Sequence, residues 1–448
     1  MRAEETEAFI NKSFSIDFAR VRLTNGKQSF SGKGSLFQDK SGIIKIKIFA
    51  NKKQKSMGLV LKEKIYKSEV GSLIKGDEYF RLTAIDLSNR KWTSERILPD
   101  MKTGVDGSVV ITAELFEVLC YTSMPTKSFS KFLAIIKYPY SGKFPFNTST
   151  YTEEKIGNEK YSSFDLNVAN FSCNGFNVLI KKINSVLDVK IKSTEKSLPP
   201  FIETRVTETL QFMLAQKMNW VYFQEYQKEL EVIHLRSFNE KEIESNLYAP
   251  LGVTDFDSNK DFQKLFESYL NFVIMFKRNK FHVISSFIVS LIQAGQGSVE
   301  ALGLTLGVSV EGLIISEFKK LKIPKRISKK EIKAFEEWIC QGYLTENNLQ
   351  RFQSLKGSLL EIRVIDKLHE LKNLGIIDKY LVDSWKDLRN PSAHPDRSKE
   401  FELKEYLKLI DSTLTLFYQL VFLKIGYTGA FRDYSSTGWK LAKFEKHL

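Results

Sequence analysis

Three residues whose side chains can move protons and stabilise negative charge lie within six positions of one another near the end of the chain. The stretch "RNPSAH", residues 389–394, contains Arg389, Asn390 and His394. A histidine titrates close to neutral pH and can take up or release a proton at a reacting oxygen. An arginine stays cationic and offers a planar set of donors to anionic oxygens. By residue type, the stretch could be part of a catalytic site, or it could be a surface loop that happens to contain a histidine.

The segments on either side of this stretch predict a turn that would bring the three side chains together. The segment "DSWKDLRN" is predicted to end an amphipathic helix, because Pro391 has no backbone N–H and cannot continue it. The segment "SAHPD" then leads into the longest amphipathic helix of the chain. At such a turn, Arg389, Asn390 and His394 can project into one cleft.

A second arginine–histidine pair has a similar spacing but a different context. Arg363 and His369 are predicted to lie within a helix over residues 355–374. Six residues place two side chains about 240° apart around a helix. We therefore interpret Arg363 and His369 as surface residues.

The first half of the chain has the pattern of an antiparallel sheet. Apolar residues alternate with polar ones, as in Ile44, Ile46 and Ile48, and turn-forming segments separate the alternating runs. The pattern predicts a sandwich or a strongly curved sheet of about ten strands, with one helix over residues 202–215.

After about residue 255 the apolar residues recur with the 3.6-residue period of helices. Helices are predicted over residues 355–374, 377–388 and 403–425, which together suggest an α-helical bundle. The expected class is α+β with several domains: a β-sandwich-like domain over residues 1–250, a helical domain over 258–430 and a tail over 431–448.

The motif and the helices around it resemble the HEPN superfamily, whose helical bundles carry an R-N-x-x-x-H signature between the third helix and the last one. The resemblance covers about residues 258–426 and extends to Apea-like HEPN proteins of prokaryotic defence, which place a β-rich region ahead of the bundle. It implies a metal-independent endoribonuclease that needs no cofactor and acts on RNA through Arg389, Asn390 and His394. Asn390 would orient His394 or the arginine.

The resemblance also implies a regulated defence protein, antiviral or toxin-like. The β-rich domain would sense or regulate and would bind an activator, phage-derived or other. One motif supplies one histidine, whereas cleavage by 2′-oxygen attack needs both a base and an acid. We therefore expect a homodimer formed through the helical bundle.

Composition and charge limit the binding partners and the cellular compartment that we expect. A formal net charge of +14 favours polyanions in general, since lysines are spread along the whole chain, and leaves RNA, DNA and anionic membrane surfaces open. Cys120, Cys173 and Cys340 lie far apart, which indicates neither a disulfide framework nor a zinc site. No signal peptide and no long apolar run is evident. We expect a cytoplasmic protein without a membrane partner.

Two alternatives come from other classes of protein. The same bundle could serve as a non-catalytic interaction and dimerisation module, with the motif residues only capping helices. A DNA-binding regulator is the third hypothesis, since residues 302–314, "LGLTLGVSVEGLI", resemble a helix-turn-helix with Gly307 at the corner and Ser309 as an N-cap. We interpret His234 as strand packing, and we find no metal-ligand, P-loop or serine-hydrolase motif.

Overall fold

The structure of the protein is a computed structural model. It describes residues 3–25, 28–50, 79–103, 108–123, 133–146, 148–156, 159–193, 197–227, 230–238, 247–252, 259–321, 323, 329–340, 350–351, 362–393 and 402–446. Within these ranges, the side chains of residues 103, 148–166, 227, 259, 329, 339–340 and 390–393 are outside the description.

The chain divides into two compact units. The first contains residues 1–207 and 218–243, and the second contains residues 208–217 and 244–448. Helix α2, Ile202–Leu214, therefore begins in the first unit and ends in the second. The sequence placed the boundary at residues 250–258 and assigned the whole of this helix to the N-terminal domain.

The first unit is built on antiparallel strands. Helix α1, Ala3–Ile10, precedes strands β1 to β15, which are Ser15–Thr24, Ser29–Gln38, Ile44–Ala50, Phe80–Asp86, Lys91–Ile97, Asp100–Thr103, Val109–Leu115, Glu117–Ser123, Leu133–Pro139, Thr148–Ile156, Glu159–Cys173, Phe176–Ile183, Val186–Ser193, Tyr222–Gln227 and Leu230–Arg236. They form a single sheet in the order β10-β11-β12-β13-β9-β14-β15-β8-β5-β4-β1-β2-β3-β7-β6.

This sheet curls around a hydrophobic core. Strands β5 and β7 contact each other although four strands separate them in the sheet order. Alternate residues of these strands, such as Val21, Ile46 and Ile111, are buried in one cluster with Trp92. The described strands thus form one strongly curved sheet, the second of the two predicted arrangements, with fifteen strands instead of about ten.

The second unit consists mainly of helices. They are α3 to α9, Asn259–Ile274, Val283–Gly295, Val299–Glu317, Lys329–Cys340, Val364–Asn373, Lys379–Ala393 and Leu403–Ile425. Helix α9 spans the residues that its 3.6-residue period predicts, and it ends at Gly426, whose φ of 68° is the left-handed conformation that glycine adopts readily. An antiparallel sheet followed by helices confirms the predicted α+β class.

The last residues of the second unit form a hairpin. Strands β16, Gly429–Arg432, and β17, Leu441–Phe444, pair with each other. Phe431 and Phe444 pack against Phe422 of helix α9, and Tyr434 donates a hydrogen bond to the carbonyl oxygen of Ala249. The segment predicted as a tail is thus part of the folded unit.

Helix α5 is the described helix that is long and apolar enough to cross a bilayer. One of its faces is buried in the second unit, with Leu306, Val310, Leu313 and Ile314 in the core. It contacts helices α4, α8 and α9. The apolar composition of its buried face thus matches its packing against these three helices.

Candidate active site around Arg389

Arg389 lies in the last part of helix α8 and is held by a carboxylate of helix α5. Its Nε donates a hydrogen bond to Oε2 of Glu311 over 2.8 Å. The two side chains are 37% and 29% exposed, so the ion pair sits at the surface of the helical unit. Because the bond uses Nε, it orients the whole planar guanidinium with one of its five N–H donors.

Two glycines on helix α5 allow helix α8 to approach this closely. A Cβ atom on Gly307 would lie 3.7 Å from the Cα atom of Arg389, and the indole Nε1 of Trp385 donates to the Gly307 carbonyl oxygen over 3.0 Å. One turn earlier, a Cβ atom on Gly303 would lie 3.3 Å from Leu388 Cδ1. Gly303, Gly307 and Glu311 follow one another at four-residue intervals and thus lie along one face of α5. This row sets the position of Arg389.

The predicted end of helix α8 is wrong. The helix continues through Pro391 to Ala393 instead of ending before the proline. The missing N–H of Pro391 removes one backbone hydrogen bond, and the helix continues for two residues beyond it. Arg389 and Asn390 are therefore helical residues and do not belong to a turn.

The structure describes only part of the predicted site. Arg389 is described in full, whereas Asn390 is described as a helical position without its side chain. His394 lies outside the described residues. The arrangement of the three side chains relative to one another stays a prediction.

The second arginine–histidine pair occupies a different setting from the predicted one. Helix α7 begins at Val364, so Arg363 is its N-cap and does not lie mid-helix. The backbone N–H of Arg363 donates to Oδ2 of Asp366 over 3.0 Å, and its Nε donates to the same oxygen over 3.3 Å. Arg363 thus has a capping role, and His369 is a half-buried residue of the helix.

The helix-turn-helix interpretation of residues 302–314 is wrong. These residues lie within the continuous helix α5, and its N-cap is Ser298, whose hydroxyl accepts from the N–H of Ala301 over 3.1 Å. Ser309 is buried in the middle of the helix. Gly307 serves helix packing and forms no turn, which removes the motif that suggested DNA binding.

A charged cluster around His234 in the first unit escaped the sequence analysis. His234 Nδ1 lies 2.9 Å from Oε1 of Glu117, and its Nε2 lies 3.8 Å from Oε1 of Glu225. Arg236 donates from Nε to Oε2 of Glu117 over 3.1 Å, and its guanidinium carbon lies 3.5 Å from the ring centroid of Trp220. The alternating pattern "EVIHLRS" indicates a strand and carries no signal for partners on strands β8 and β14.

The environment of His234 keeps it protonated at neutral pH. Burial opposes its charge, but the carboxylates of Glu117 and Glu225 outweigh burial and raise the pKa of the imidazole to about 9. A histidine that is already protonated at pH 7 cannot act as a general base there. The cluster therefore joins strands β8, β14 and β15 electrostatically, and His234 is not available as a general base at neutral pH.

A reactive cysteine and a metal centre are two other features that could support catalysis. Burial raises the pKa of the Cys120 thiol to about 12, so this thiol stays protonated and is a poor nucleophile. In the part of the chain that the structure describes, no three His, Cys, Asp or Glu side chains come together as a metal site would require.

Comparison with protein-family models, with curated proteins and with solved structures finds no match for this chain.

Proposed function

We propose that the protein is a metal-independent endoribonuclease of the HEPN type, resembling Apea-like HEPN proteins, whose catalytic residues are Arg389, Asn390 and His394. His394 removes the ribose 2′-hydroxyl proton or protonates the leaving 5′-oxygen. Arg389 stabilises the negative charge that grows on the phosphate oxygens, and Asn390 orients the histidine or the arginine. The products are a 2′,3′-cyclic phosphate and a 5′-hydroxyl.

The observation that carries this proposal is the bond between Arg389 and Glu311. An arginine bound through Nε can present its two terminal nitrogens to a phosphate as a fork. The carboxylate restricts the rotamers of Arg389, so less conformational entropy is lost when a phosphate binds. The partial exposure of both side chains lets a polymer as large as RNA reach the guanidinium.

A stripe on helix α5 beside this pair supports the homodimer. Leu304, Val308 and Ile315 are between 46% and 55% exposed, and together with Glu311 they lie within about 60° of one another around the helix. An apolar stripe of this kind is typical of a surface that packs against a second copy. Two copies facing each other here would bring two Arg389–Glu311 pairs close together and supply a second histidine.

The remaining parts of the proposal concern setting and regulation. We place the enzyme in the cytoplasm, in antiviral or toxin-like defence, with RNA as its substrate. The first unit acts as the sensing or regulatory part and binds the activator. A chain with a formal net charge of +14 attracts RNA over a long range.

The same exposed stripe also favours a second function, a non-catalytic module that dimerises and binds a partner. In that case Arg389 would only secure helix α8 to helix α5 through Glu311. The two functions differ in whether RNA is cleaved.

The test is incubation of the purified full-length protein with total RNA and with DNA of matched length, in the presence of EDTA. The proposal expects RNA to be cut to products with 2′,3′-cyclic phosphate ends and DNA to remain whole. RNA that stays intact with and without added Mg²⁺ and Mn²⁺ would instead support the non-catalytic module.

A further inference from the structure

The first unit contains a cavity of about 730 Å³ that lies apart from the charged cluster around His234. Its floor is one face of strands β13, β9 and β14, and helix α1 with the following residues Asn11 and Lys12 forms part of its wall. The turn at residues 183–185 closes another side. Small-molecule sites in proteins are typically about 300–1,000 Å³, so this cavity has the size of a ligand pocket.

The register of the three strands determines which side chains form the floor. Asp188 of β13 lies opposite Lys137 of β9, and Lys137 lies opposite Tyr222 of β14. Alternate residues point to the same face, so the row two residues further on, which includes Lys190 and Ile135, faces the cavity too. The floor is a grid of paired polar and apolar side chains.

Asp188 has an acceptor that no described residue uses. Its Oδ2 accepts a hydrogen bond from Lys137 Nζ over 2.7 Å, whereas no donor lies at its Oδ1. Asp188 is only 8% exposed and lines the cavity. A buried carboxylate oxygen without a donor destabilises the folded protein. A ligand hydroxyl or N–H group would satisfy it.

The neighbouring polar residues do not show this deficit. The hydroxyl of Tyr222 donates to Oε1 of Gln224 over 2.8 Å, and Nε2 of Gln224 donates to the Tyr226 hydroxyl over 2.8 Å. These bonds hold the β14 side of the floor in place. Among the described residues that line the cavity, Oδ1 of Asp188 is the buried side-chain atom that lacks a hydrogen-bond partner.

Besides the carboxylate of Glu7 and several uncharged polar residues, the rest of the lining offers positive charge and apolar surface. Lys190 lies on the same face of β13 as Asp188 and is exposed, and Lys12 lines the wall after helix α1. Apolar surface comes from Ile10, Ile135 and Val186. A ligand that matches the positive charge, the free acceptor of Asp188 and the apolar surface carries an anionic group, a hydroxyl donor and a flat apolar part.

We infer that this cavity binds a ribonucleotide. A ribose hydroxyl donates to Oδ1 of Asp188, the phosphate binds Lys190, and the base packs against Ile135 and Val186. The inference rests on the cavity and its residues, and no step of it depends on the proposed RNA cleavage.

The test is isothermal titration of the full-length protein with AMP, GMP, CMP and UMP in turn. At least one should bind once per chain with a Kd below about 1 mM. Its 2′,3′-dideoxy analogue, which lacks the donors for Asp188, should bind about tenfold or more weakly. Inorganic phosphate and ribose 5-phosphate, which lack the base, should also bind more weakly.

Two variants and one matched control locate the site. Asp188→Asn keeps the side-chain volume but presents an amide, and it should abolish the preference for the ribose form over the dideoxy analogue. Lys190→Glu should weaken binding of the nucleotide about tenfold or more. Lys192→Glu makes the same charge change two residues further along the same face of the strand but outside the cavity lining, and it should change the Kd much less than Lys190→Glu does.

Three results would overturn the inference. The first is the absence of binding by all four nucleotides to the wild-type protein. The second is equal affinity for ribose 5-phosphate and the best nucleotide, which would remove the role of the base. The third is an equal loss of affinity in Lys190→Glu and Lys192→Glu, which would indicate attraction to surface charge in general. Since Lys190 is exposed, its variant should fold even if Asp188→Asn does not.

Discussion

The ring of Phe212 stacks on the ring of Tyr269, with centroids 4.5 Å apart and planes inclined by 19°. Phe212 also meets Tyr418 and Phe422 edge-on, and it is 1% exposed. Helix α2 thereby supplies the core of the second unit with a residue that precedes most of that unit in sequence.

We therefore expect that a fragment of residues 255–448 will not fold stably by itself, because it lacks Phe212. In the full-length protein, Phe212→Ala should destabilise the second unit by about 3–5 kcal/mol, the usual cost of removing a buried phenylalanine. Chemical denaturation followed by circular dichroism measures both effects. Phe49→Ala, which removes a ring that is 52% exposed, should change stability by less than about 0.5 kcal/mol. A fragment as stable as the full chain would contradict this assignment of helix α2.

The catalytic proposal predicts unequal effects of two histidine substitutions. His394→Ala and Arg389→Ala should each reduce RNA cleavage by about 10² or more, the usual loss for a general acid–base or a charge-stabilising group. Asn390→Ala should cost less. His369→Ala changes a half-buried histidine of helix α7 and should leave the rate unaltered. If the rate fell equally in the His369 and His394 variants, the site would have been placed wrongly.

Glu311 should affect catalysis by positioning Arg389. In Glu311→Gln the amide oxygen can still accept from Arg389 Nε, whereas Glu311→Ala removes the partner altogether. We expect cleavage to decrease about tenfold or more in the alanine variant and to be largely kept in the glutamine variant, with the effect mainly in kcat. Steady-state kinetics on a short RNA gives both parameters. An unchanged kcat in Glu311→Ala would show that the ion pair only stabilises the fold.

The stripe on helix α5 predicts which substitution would disrupt the proposed dimer. Val308→Asp places a charge in the exposed apolar stripe and should convert a dimer into a monomer with loss of cleavage. Leu87→Asp makes the same kind of change at a position of the first unit that is 77% exposed, and it should leave the dimer intact. Light scattering at micromolar concentration distinguishes the two states. A wild-type protein that is monomeric and active would rule out the shared site.

The stability of the first unit should depend on pH through His234. Its pKa is about 9 in the folded protein and about 6.5 in an unfolded chain. The stabilisation is thus complete below pH 6.5 and disappears as the pH rises through 9. His234→Gln should therefore destabilise the protein most at pH 6 and much less at pH 10. The groups that face His234 are Glu117, Glu225, Arg236 and Glu203. The variant and the wild type share these groups, so their contribution to the pH dependence cancels when the free energies of unfolding of the two proteins are compared at each pH. A difference that is constant from pH 6 to pH 10 would refute the charged state.

Local patterns were sufficient to predict the elements whose partners lie close in sequence. The alternation at Ile44, Ile46 and Ile48 predicts strand β3, and the period of residues 403–425 predicts helix α9. The local signals failed where tertiary packing overrides them. Gly307 suggested a turn, yet it is the point where helix α8 packs on helix α5, and Pro391 suggested a helix end but lies within a helix.

The sequence pattern could not predict which residues pair to form a site, because the two members of each pair are distant in the chain. Lys137 and Asp188 meet only because strand β9 pairs with strand β13, and Arg389 meets Glu311 only because two helices cross. Neither pair has a spacing that a motif could capture. The acceptor of Asp188 that lacks a donor is a property of the assembled sheet and has no counterpart in the residue order.

The hairpin β14–β15 lies in the middle of the sheet order but is made after the other thirteen described strands of this sheet. The sheet can therefore be completed only late in synthesis. Strands β1 to β8 can pair among themselves as they leave the ribosome, and strands β9 to β13 can do the same. Among the described strands, the two groups join only through β14, which pairs with β9, and β15, which pairs with β8. Until residue 236 has emerged, both groups expose an unpaired edge to other nascent chains, and the late, long-range pairing slows the final step. Among the described strands of the first unit, the last to be made are therefore the ones that complete the middle of the sheet.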